Sequence, residues 1–219
     1  MNLGAIFGRI RLGGALRLAR GTVLAQLVTL AAVPLLARIF PAEAFGLFGF
    51  ASTAAAALSV VVTLRYDQGI LPAKHPREAA ACAILALMAA AGFCAAFELG
   101  LALAGTHLEA WVSPGGLAAI AWMVPISMAL QAWTLVAVQW GLRQHRDDAV
   151  AGFYLVRAMA MTGLQVAGGL LGGGAAALLA GQMLGSLAGL VALFGRVRPP
   201  RLEAAAGRRI AQLQDAAWA

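Results

Sequence analysis

The sequence predicts an all-α, polytopic membrane protein with six transmembrane helices, on two observations. Hydrophobic residues make up 62% of the 219 residues and charged residues 11%, with a mean hydropathy of +0.83, whereas an average soluble domain is about half apolar and about a quarter charged. The charges are gathered into short clusters. Between them lie uncharged runs close to, or longer than, the ~20 apolar residues that cross a bilayer, so these runs predict membrane spans.

Helix-breaking or charged segments separate the spans. Pro41 follows the first apolar run, a charged connector begins at Arg65, and Pro114 lies in a loop before the fourth run. The turn at residues 143–148 is charged. The glycines at 172–174 divide the last long run, because glycine is helix-poor and permits turns. The predicted spans are residues 21–40, 44–64, 79–104, 117–142, 149–171 and 175–195.

Two basic segments flank this region of residues 21–195. Residues 1–20 place arginines among apolar side chains, which is typical of an amphipathic segment at a membrane surface. A plain basic flank of the first span fits the pattern equally well. A secretory signal cleaved at residues 42–44 is disfavoured, because the preceding apolar run is longer than a signal core. Residues 196–219 are predicted to form a basic tail.

The basic residues also predict the orientation of the spans. Six spans place both termini on one side of the membrane, and every Lys and Arg except Arg38 and Arg157 then falls on that side. Because loops rich in Lys and Arg remain in the cytoplasm, both termini are predicted to be cytoplasmic. The net charge of +7 and the pI near 11.0 are therefore topology signals, and we expect no nucleic-acid partner.

The sequence contains no motif for catalysis or metal binding. It has neither a G-x-x-x-x-G-K-[ST] phosphate loop nor an H-E-x-x-H zinc motif. His75, His107 and His145 fall in three different predicted loops, where solvated loop residues are the simplest interpretation. We therefore predict a protein that is not an enzyme and that has no catalytic residue, cofactor or metal site.

Arg157 is the strongest candidate for a functional residue. It follows Asp148 by nine residues, which places it about 14 Å along the fifth span and near the midplane of a ~30 Å hydrocarbon core. A charge at that depth is costly and must face a partner or water. Two interpretations are open: Arg157 binds an anionic ligand in a polar cavity, or Glu98 of the third span neutralises it.

Polar residues at helical spacing suggest which spans line such a cavity. Gln165 shares a face of the fifth span with Arg157, Gln131 lies on a polar stripe of the fourth, and Gln26 lies on another stripe of the first. A cavity lined by the first, fourth and fifth spans would place all three glutamines beside the ligand. The simpler alternative is that the glutamines form hydrogen bonds between helices.

Two carboxylates are candidates for gating or coupling. Glu98 lies about 28 Å from the cytoplasmic end of the third span, near the outer face, where it is either a proton or cation site or an interfacial carboxylate. Asp67 follows Arg65 and Tyr66 at the end of the second span. We expect this triplet to anchor that end, by internal pairing or by bracing a gate.

Small residues elsewhere predict packing. Gly181, Gly185 and Gly189 recur every four residues on the sixth span and form a ridge that permits close helix contact. Cys82 and Cys94 lie twelve residues apart on one predicted helix, about 18 Å along its axis, which is beyond the reach of a disulfide. We expect both cysteines to be packing residues.

The first two spans and their connector resemble a known family, the polysaccharide biosynthesis proteins, which are O-antigen-type lipid-linked oligosaccharide flippases of the multidrug/oligosaccharidyl-lipid/polysaccharide exporter superfamily. The similarity covers about residues 15–195. The residues that carry it are Gly21, Gln26, residues 36–41, Phe45, Gly46, Arg65, Tyr66, Asp67, Ile70, Leu71 and Pro72, with Gly181, Gln182, Met183, Leu184 and Gly185 in the sixth span.

The resemblance implies two six-helix lobes around a central cavity and transport of a polyprenyl-diphosphate-linked oligosaccharide across the bacterial inner membrane, for O-antigen, capsule or exopolysaccharide synthesis. The chain corresponds to the first lobe, so we expect a half-length or truncated flippase. Its partners would be the lipid-linked glycan, membrane lipids, a second lobe or copy, and glycan polymerase or assembly proteins. Arg157, Arg65 and Arg38 would attract the diphosphate, since a guanidinium grips phosphate oxygens bidentately.

Two other functions remain open. A drug or cation exporter of the same superfamily would require a carboxylate inside the membrane, and Glu98 is placed too far out for that role. A non-transporting membrane interaction protein, or the remnant of a transporter gene, would account for a single lobe.

Overall fold

The computed structural model describes residues 12–111 and 118–197, and these ranges contain eight helices and no strand. Six of the helices, all except α3 and α5, are long and apolar enough to cross a membrane. In these ranges the predictions of an all-helical fold and of six helices able to span a membrane are confirmed. The helices are α1 (Leu12–Ile39), α2 (Ala42–Val62), α3 (Tyr66–Gly69), α4 (Pro76–Trp111), α5 (Ala118–Ala121), α6 (Met123–Arg143), α7 (Asp147–Leu170) and α8 (Ala175–Phe194).

The first helix begins earlier than predicted. α1 runs unbroken from Leu12 and includes Pro34, so the predicted boundary at residue 20 is not a structural break. Residues 12–20 are rich in Leu, Ala and Arg, which are good helix formers. The rest of the basic segment, residues 1–11, lies outside the described residues, as do residues 198–219 of the predicted tail.

The loop predicted at residues 105–116 begins later in the structure. α4 continues to Trp111, because Gly105 alone does not end a helix and the strong breakers, Pro114 and the glycines after it, lie further on. The fourth span also differs, since a turn at Trp122 separates α5 from α6. Pro125 lacks the N–H that would continue the helical bonding across this turn.

Helix packing departs from the order of the chain, since α1 packs mainly on α7 and α2 on α6. α7 lies between α1 and α8, α8 also packs on α2 and α6, and α4 packs on α6. Two buried apolar clusters mark opposite ends of the bundle. One joins the connector and the α6–α7 turn through Ile70 and Val150. The other joins the α1–α2 link to the start of α8 through Phe40 and Leu178. Consecutive spans therefore run in opposite directions.

Glycines bring α7 and α8 into close contact. A Cβ added to Gly185 would lie 2.8 Å from the backbone nitrogen of Met161. A Cβ added to Gly189 would lie 2.9 Å from the Phe153 ring and 3.1 Å from the Cβ of Arg157. The packing role predicted for the glycine ridge is confirmed, and the ridge also fixes the position of the helix that carries Arg157.

Arg143, at the end of α6, holds the connector between α2 and α4. Its Nη1 group donates hydrogen bonds to the backbone carbonyls of Ile70 (2.9 Å), Leu71 (3.3 Å) and Ala73 (2.6 Å). Hydrogen bonds that involve a charged donor are stronger than neutral ones. The connector is therefore fastened to the bundle by a residue about seventy positions further along the chain.

The α6–α7 turn supplies a first testable prediction. His145 has a φ of 55°, in the left-handed region that disfavours residues with a Cβ. The His145 N–H donates a hydrogen bond to the carbonyl of Leu142, and the Arg146 N–H donates one to the carbonyl of Gly141. This is the bonding pattern of a Schellman motif. We expect His145→Gly to raise the free energy of unfolding by about 0.5–1 kcal/mol, measured by denaturant titration in detergent.

The opposite change, from glycine to a residue with a Cβ, can be made at Gly172. This residue has a φ of 79° and no atom within 4 Å of its missing Cβ. Gly172→Ala introduces the same backbone strain and should lower stability by a similar amount. If both variants have the same free energy of unfolding as the wild type, backbone conformation does not limit the stability of either turn.

Candidate functional site

A groove of about 640 Å³ lies between α1 and α7, within the stretches of both helices that are long and apolar enough to cross a membrane. Its polar lining comprises Thr22, Gln26 and Thr29 of α1 with Tyr154 and Arg157 of α7. The sequence-predicted stripes of the first and fifth spans therefore meet in one site.

Small residues bring the two helices together on either side of the groove. A Cβ added to Gly21 would lie 2.9 Å from the Cα of Ala151. Towards the other end, Gly169 packs so closely on the Phe40 ring that an added Cβ would lie 2.6 Å from it. Between these contacts the larger side chains of both helices leave a space midway along α1 and α7.

Arg157 lies at the middle of α7 and is the charged side chain among the described residues that line the groove. Within the described ranges, no carboxylate forms an ion pair or hydrogen bond with it, and its ionisable neighbour is Tyr154. Glu98 lies near Cys94 on α4 and does not act on Arg157. The neutralisation by Glu98 considered from the sequence is therefore wrong, and the guanidinium keeps its donors for the groove.

The other polar side chains in the described groove lining are uncharged. The hydroxyls of Thr22 and Thr29 donate to the backbone carbonyls of Leu18 (2.9 Å) and Ala25 (3.0 Å) in their own helix. Gln26 is exposed, so its amide is accessible. Since the described lining contains Arg157 and no carboxylate, the groove favours an anionic group.

Apolar side chains form the rim of the groove on α1. Val23, Leu27, Leu30 and Val33 line it and are about half or more exposed, with Leu30 at 68%. In a membrane these side chains would contact hydrocarbon. The site therefore combines a positively charged interior with an apolar edge, a combination suited to an amphiphile with an anionic head.

The glutamines of the fourth and fifth spans do not line the groove. Gln165 is 3% exposed, and its Nε2 group donates to the carbonyl of Leu178 at 3.0 Å, so it joins α7 to α8 as the simpler interpretation held. Gln131 lies on α6, with a buried Nε2 that has no partner among the described residues. The predicted cavity is wrong in its fourth-span wall, because helical spacing identifies a face but not the neighbouring helix.

Arg38 and Arg65 also lie away from the groove. Arg38 is exposed in the last turn of α1. Arg65 is exposed and precedes α3 with a left-handed φ of 61°. Neither side chain belongs to the lining, so the predicted cluster of three arginines around one anion does not form in this arrangement.

The two candidate gating carboxylates have different surroundings. Asp67 is 5% exposed and accepts a hydrogen bond from the Thr63 hydroxyl at 2.9 Å, so its observed partner lies at the end of α2 and outside the triplet of residues 65–67. Glu98 is partly buried on α4. The gating or coupling roles of both stay predictions. No group of three or more His, Cys, Asp or Glu that could hold a metal occurs in the described ranges.

Tyr154 belongs to the polar stripe of the fifth span and lines the groove, but it is not among the ligand-binding residues predicted from the sequence. It precedes Arg157 by three positions and so shares its helical face. That three-residue spacing is the feature of the sequence that places Tyr154 beside Arg157.

Comparison of the chain with known proteins finds no matching family, no matching curated protein and no matching solved structure.

Proposed function

We propose that the chain is a six-span lobe of a flippase that moves a polyprenyl-diphosphate-linked oligosaccharide across the bacterial inner membrane, with both termini in the cytoplasm. The observation that carries this proposal is Arg157, which lines a groove between two apolar helices and has no carboxylate partner among the described residues. The resemblance of the first two spans to polysaccharide flippases supports the same substrate class.

The chemistry of the groove suits a lipid diphosphate. A guanidinium binds phosphate oxygens through two parallel, charge-assisted hydrogen bonds. The adjoining isoprenoid chain would lie on the apolar rim formed by Leu27 and Leu30. An anionic ligand also removes the cost of an unpaired charge inside the membrane.

The size of the groove limits how much of the substrate a single lobe can enclose. A volume of about 640 Å³ is in the range of small-molecule sites, enough for the phosphates and the first isoprenoid units. An attached oligosaccharide would extend beyond it. A second lobe or a second copy would enclose the sugar, and glycan polymerase or assembly proteins would act on the product. An exporter of drugs or cations is disfavoured, because the part of the groove lining that the structure describes contains an arginine and no carboxylate.

Transport can be tested with the purified chain in proteoliposomes. The probe is a disaccharide linked to a fluorescent polyprenyl diphosphate, placed in both leaflets and bleached by a membrane-impermeant reductant. We expect the chain to raise the bleached fraction from the outer-leaflet share towards all of the probe, while fluorescent phosphatidylcholine stays at its outer-leaflet share. Binding without movement would contradict transport and indicate an interaction protein, and movement of both lipids would indicate a non-selective scramblase.

A further inference from the structure

Tyr154 and Arg157 lie one helical turn apart on α7, and both line the groove. We propose that the Tyr154 hydroxyl is a second hydrogen-bond donor to the phosphate group that Arg157 binds. This inference rests on the proposed function and adds a specificity-determining residue to it. The ligand chemistry is that of a phosphate or diphosphate, recognised by two donors from one face of one helix.

The Tyr154 ring is fixed by its surroundings. It packs edge-to-face on Phe153, with ring centroids 5.1 Å apart and an interplanar angle of 70°. Phe153 is fully buried and packs in turn against Gly189 of α8. Tyr154 also belongs to the partly buried side chains that cover the apolar cluster around Val150. The ring is thus held by the protein core, and its position does not depend on a ligand.

The hydroxyl, in contrast, has no hydrogen-bond partner within the described ranges. Tyrosine hydroxyls that are partly removed from water normally bind a partner. The charged side chain beside it in the described lining is Arg157, which is a donor and cannot accept a hydrogen bond. An acceptor placed between the two side chains satisfies both, and phosphate oxygens are acceptors with several lone pairs.

A neutral donor beside an arginine has a distinct role. Arg157 supplies charge and a planar fork, whereas the Tyr154 hydroxyl supplies direction without adding a second charge to the membrane interior. A hydrogen bond from a hydroxyl to an ionised oxygen is one of the stronger kinds. We expect its removal to weaken binding about tenfold.

The chain offers a matched control, because it contains two tyrosines, Tyr66 and Tyr154. Tyr66 lies in the connector and does not line the groove. We would measure binding of geranylgeranyl diphosphate to the full chain in detergent micelles. Tyr154→Phe keeps the ring and its packing on Phe153 and should weaken binding about tenfold, while Tyr66→Phe should bind as the wild type does.

A spectroscopic readout separates contact from a structural effect. In the Tyr66→Phe variant labelled with 3-fluorotyrosine, the only fluorine resonance belongs to Tyr154. We expect geranylgeranyl diphosphate to shift this resonance and geranylgeraniol, which lacks phosphate, to leave it unchanged. A response to inorganic diphosphate at the same concentration would support the donor role and contradict a lipid as the source of the phosphate.

The outcomes distinguish this inference from the proposed function. If Tyr154→Phe binds like the wild type while Arg157→Ala loses binding, the donor role of Tyr154 is overturned and the proposed function stands. If geranylgeraniol shifts the fluorine resonance as much as the diphosphate does, Tyr154 contacts the hydrocarbon and the donor role is again overturned. If the wild type binds no diphosphate, the proposed function fails, and the inference fails with it.

Discussion

Replacing Arg157 by alanine is expected to weaken binding of a prenyl diphosphate about 100-fold and to abolish movement of the labelled lipid. Two parallel hydrogen bonds to ionised oxygens are worth about 1.5 kcal/mol or more each. Their sum of about 3 kcal/mol corresponds to about two orders of magnitude in affinity. Binding would be measured by titration of geranylgeranyl diphosphate in micelles, and movement by the bleaching assay in proteoliposomes.

Stability distinguishes a binding residue from a structural one. Because Arg157 has no carboxylate partner in the part of the chain that the structure describes, its removal leaves no buried group without its counter-charge. Arg157→Ala should therefore unfold at an equal or higher denaturant concentration than the wild type. A large loss of stability with unchanged binding would show that Arg157 is a structural residue.

Two further arginine variants refine the result. Arg157→Lys keeps the charge but loses the planar fork, so its affinity should fall between those of the wild type and Arg157→Ala. Arg38→Ala removes an exposed arginine outside the groove and should bind normally. Equal losses in Arg38→Ala and Arg157→Ala would indicate general attraction of the anion to a positively charged protein.

The sequence predicts the spans and part of the groove through local signals. Apolar runs and glycine or proline breaks locate six helices, because both depend on neighbouring residues. The polar stripes of the first and fifth spans were likewise local, and the structure brings Gln26 and Arg157 to one groove. The stripe that contains Gln131 followed the same rule, yet α6 packs elsewhere. Spacing defines a face, and only tertiary packing selects its neighbour.

Long-range contacts explain the remaining differences. The hydrogen bonds from Arg143 to the connector carbonyls join residues about seventy positions apart. No periodic pattern in the sequence predicts them. Arg38 and Arg65 were predicted to bind the diphosphate together with Arg157 because all three are arginines. The three residues lie in different parts of the bundle. An arginine in a sequence indicates a possible phosphate contact, and its depth in a span was the property that singled out Arg157.

The second large effect is expected at the contact between α7 and α8. Gly185→Leu should lower the free energy of unfolding by about 3 kcal/mol, because the first added atom would meet the backbone of Met161 at 2.8 Å. Gly163→Leu is the matched control, since Gly163 is an exposed glycine of α7 with no atom within 4 Å of its missing Cβ. Stability would be measured by denaturant titration in micelles, and equal losses in the two variants would contradict the close contact.

The same substitution links packing to the site. A widened α7–α8 contact would displace α7, and Arg157 lies on that helix against Gly189, one turn beyond Gly185. We therefore expect Gly185→Leu to lose both stability and diphosphate binding, whereas Arg157→Ala loses binding alone. The obstructing atoms at 2.8 Å are the nitrogen and Cα of Met161, so trimming the side chain by Met161→Ala should restore little stability in the double variant. Full restoration would show that the ridge is limited by a movable side chain, in which case the position of Arg157 does not depend on it.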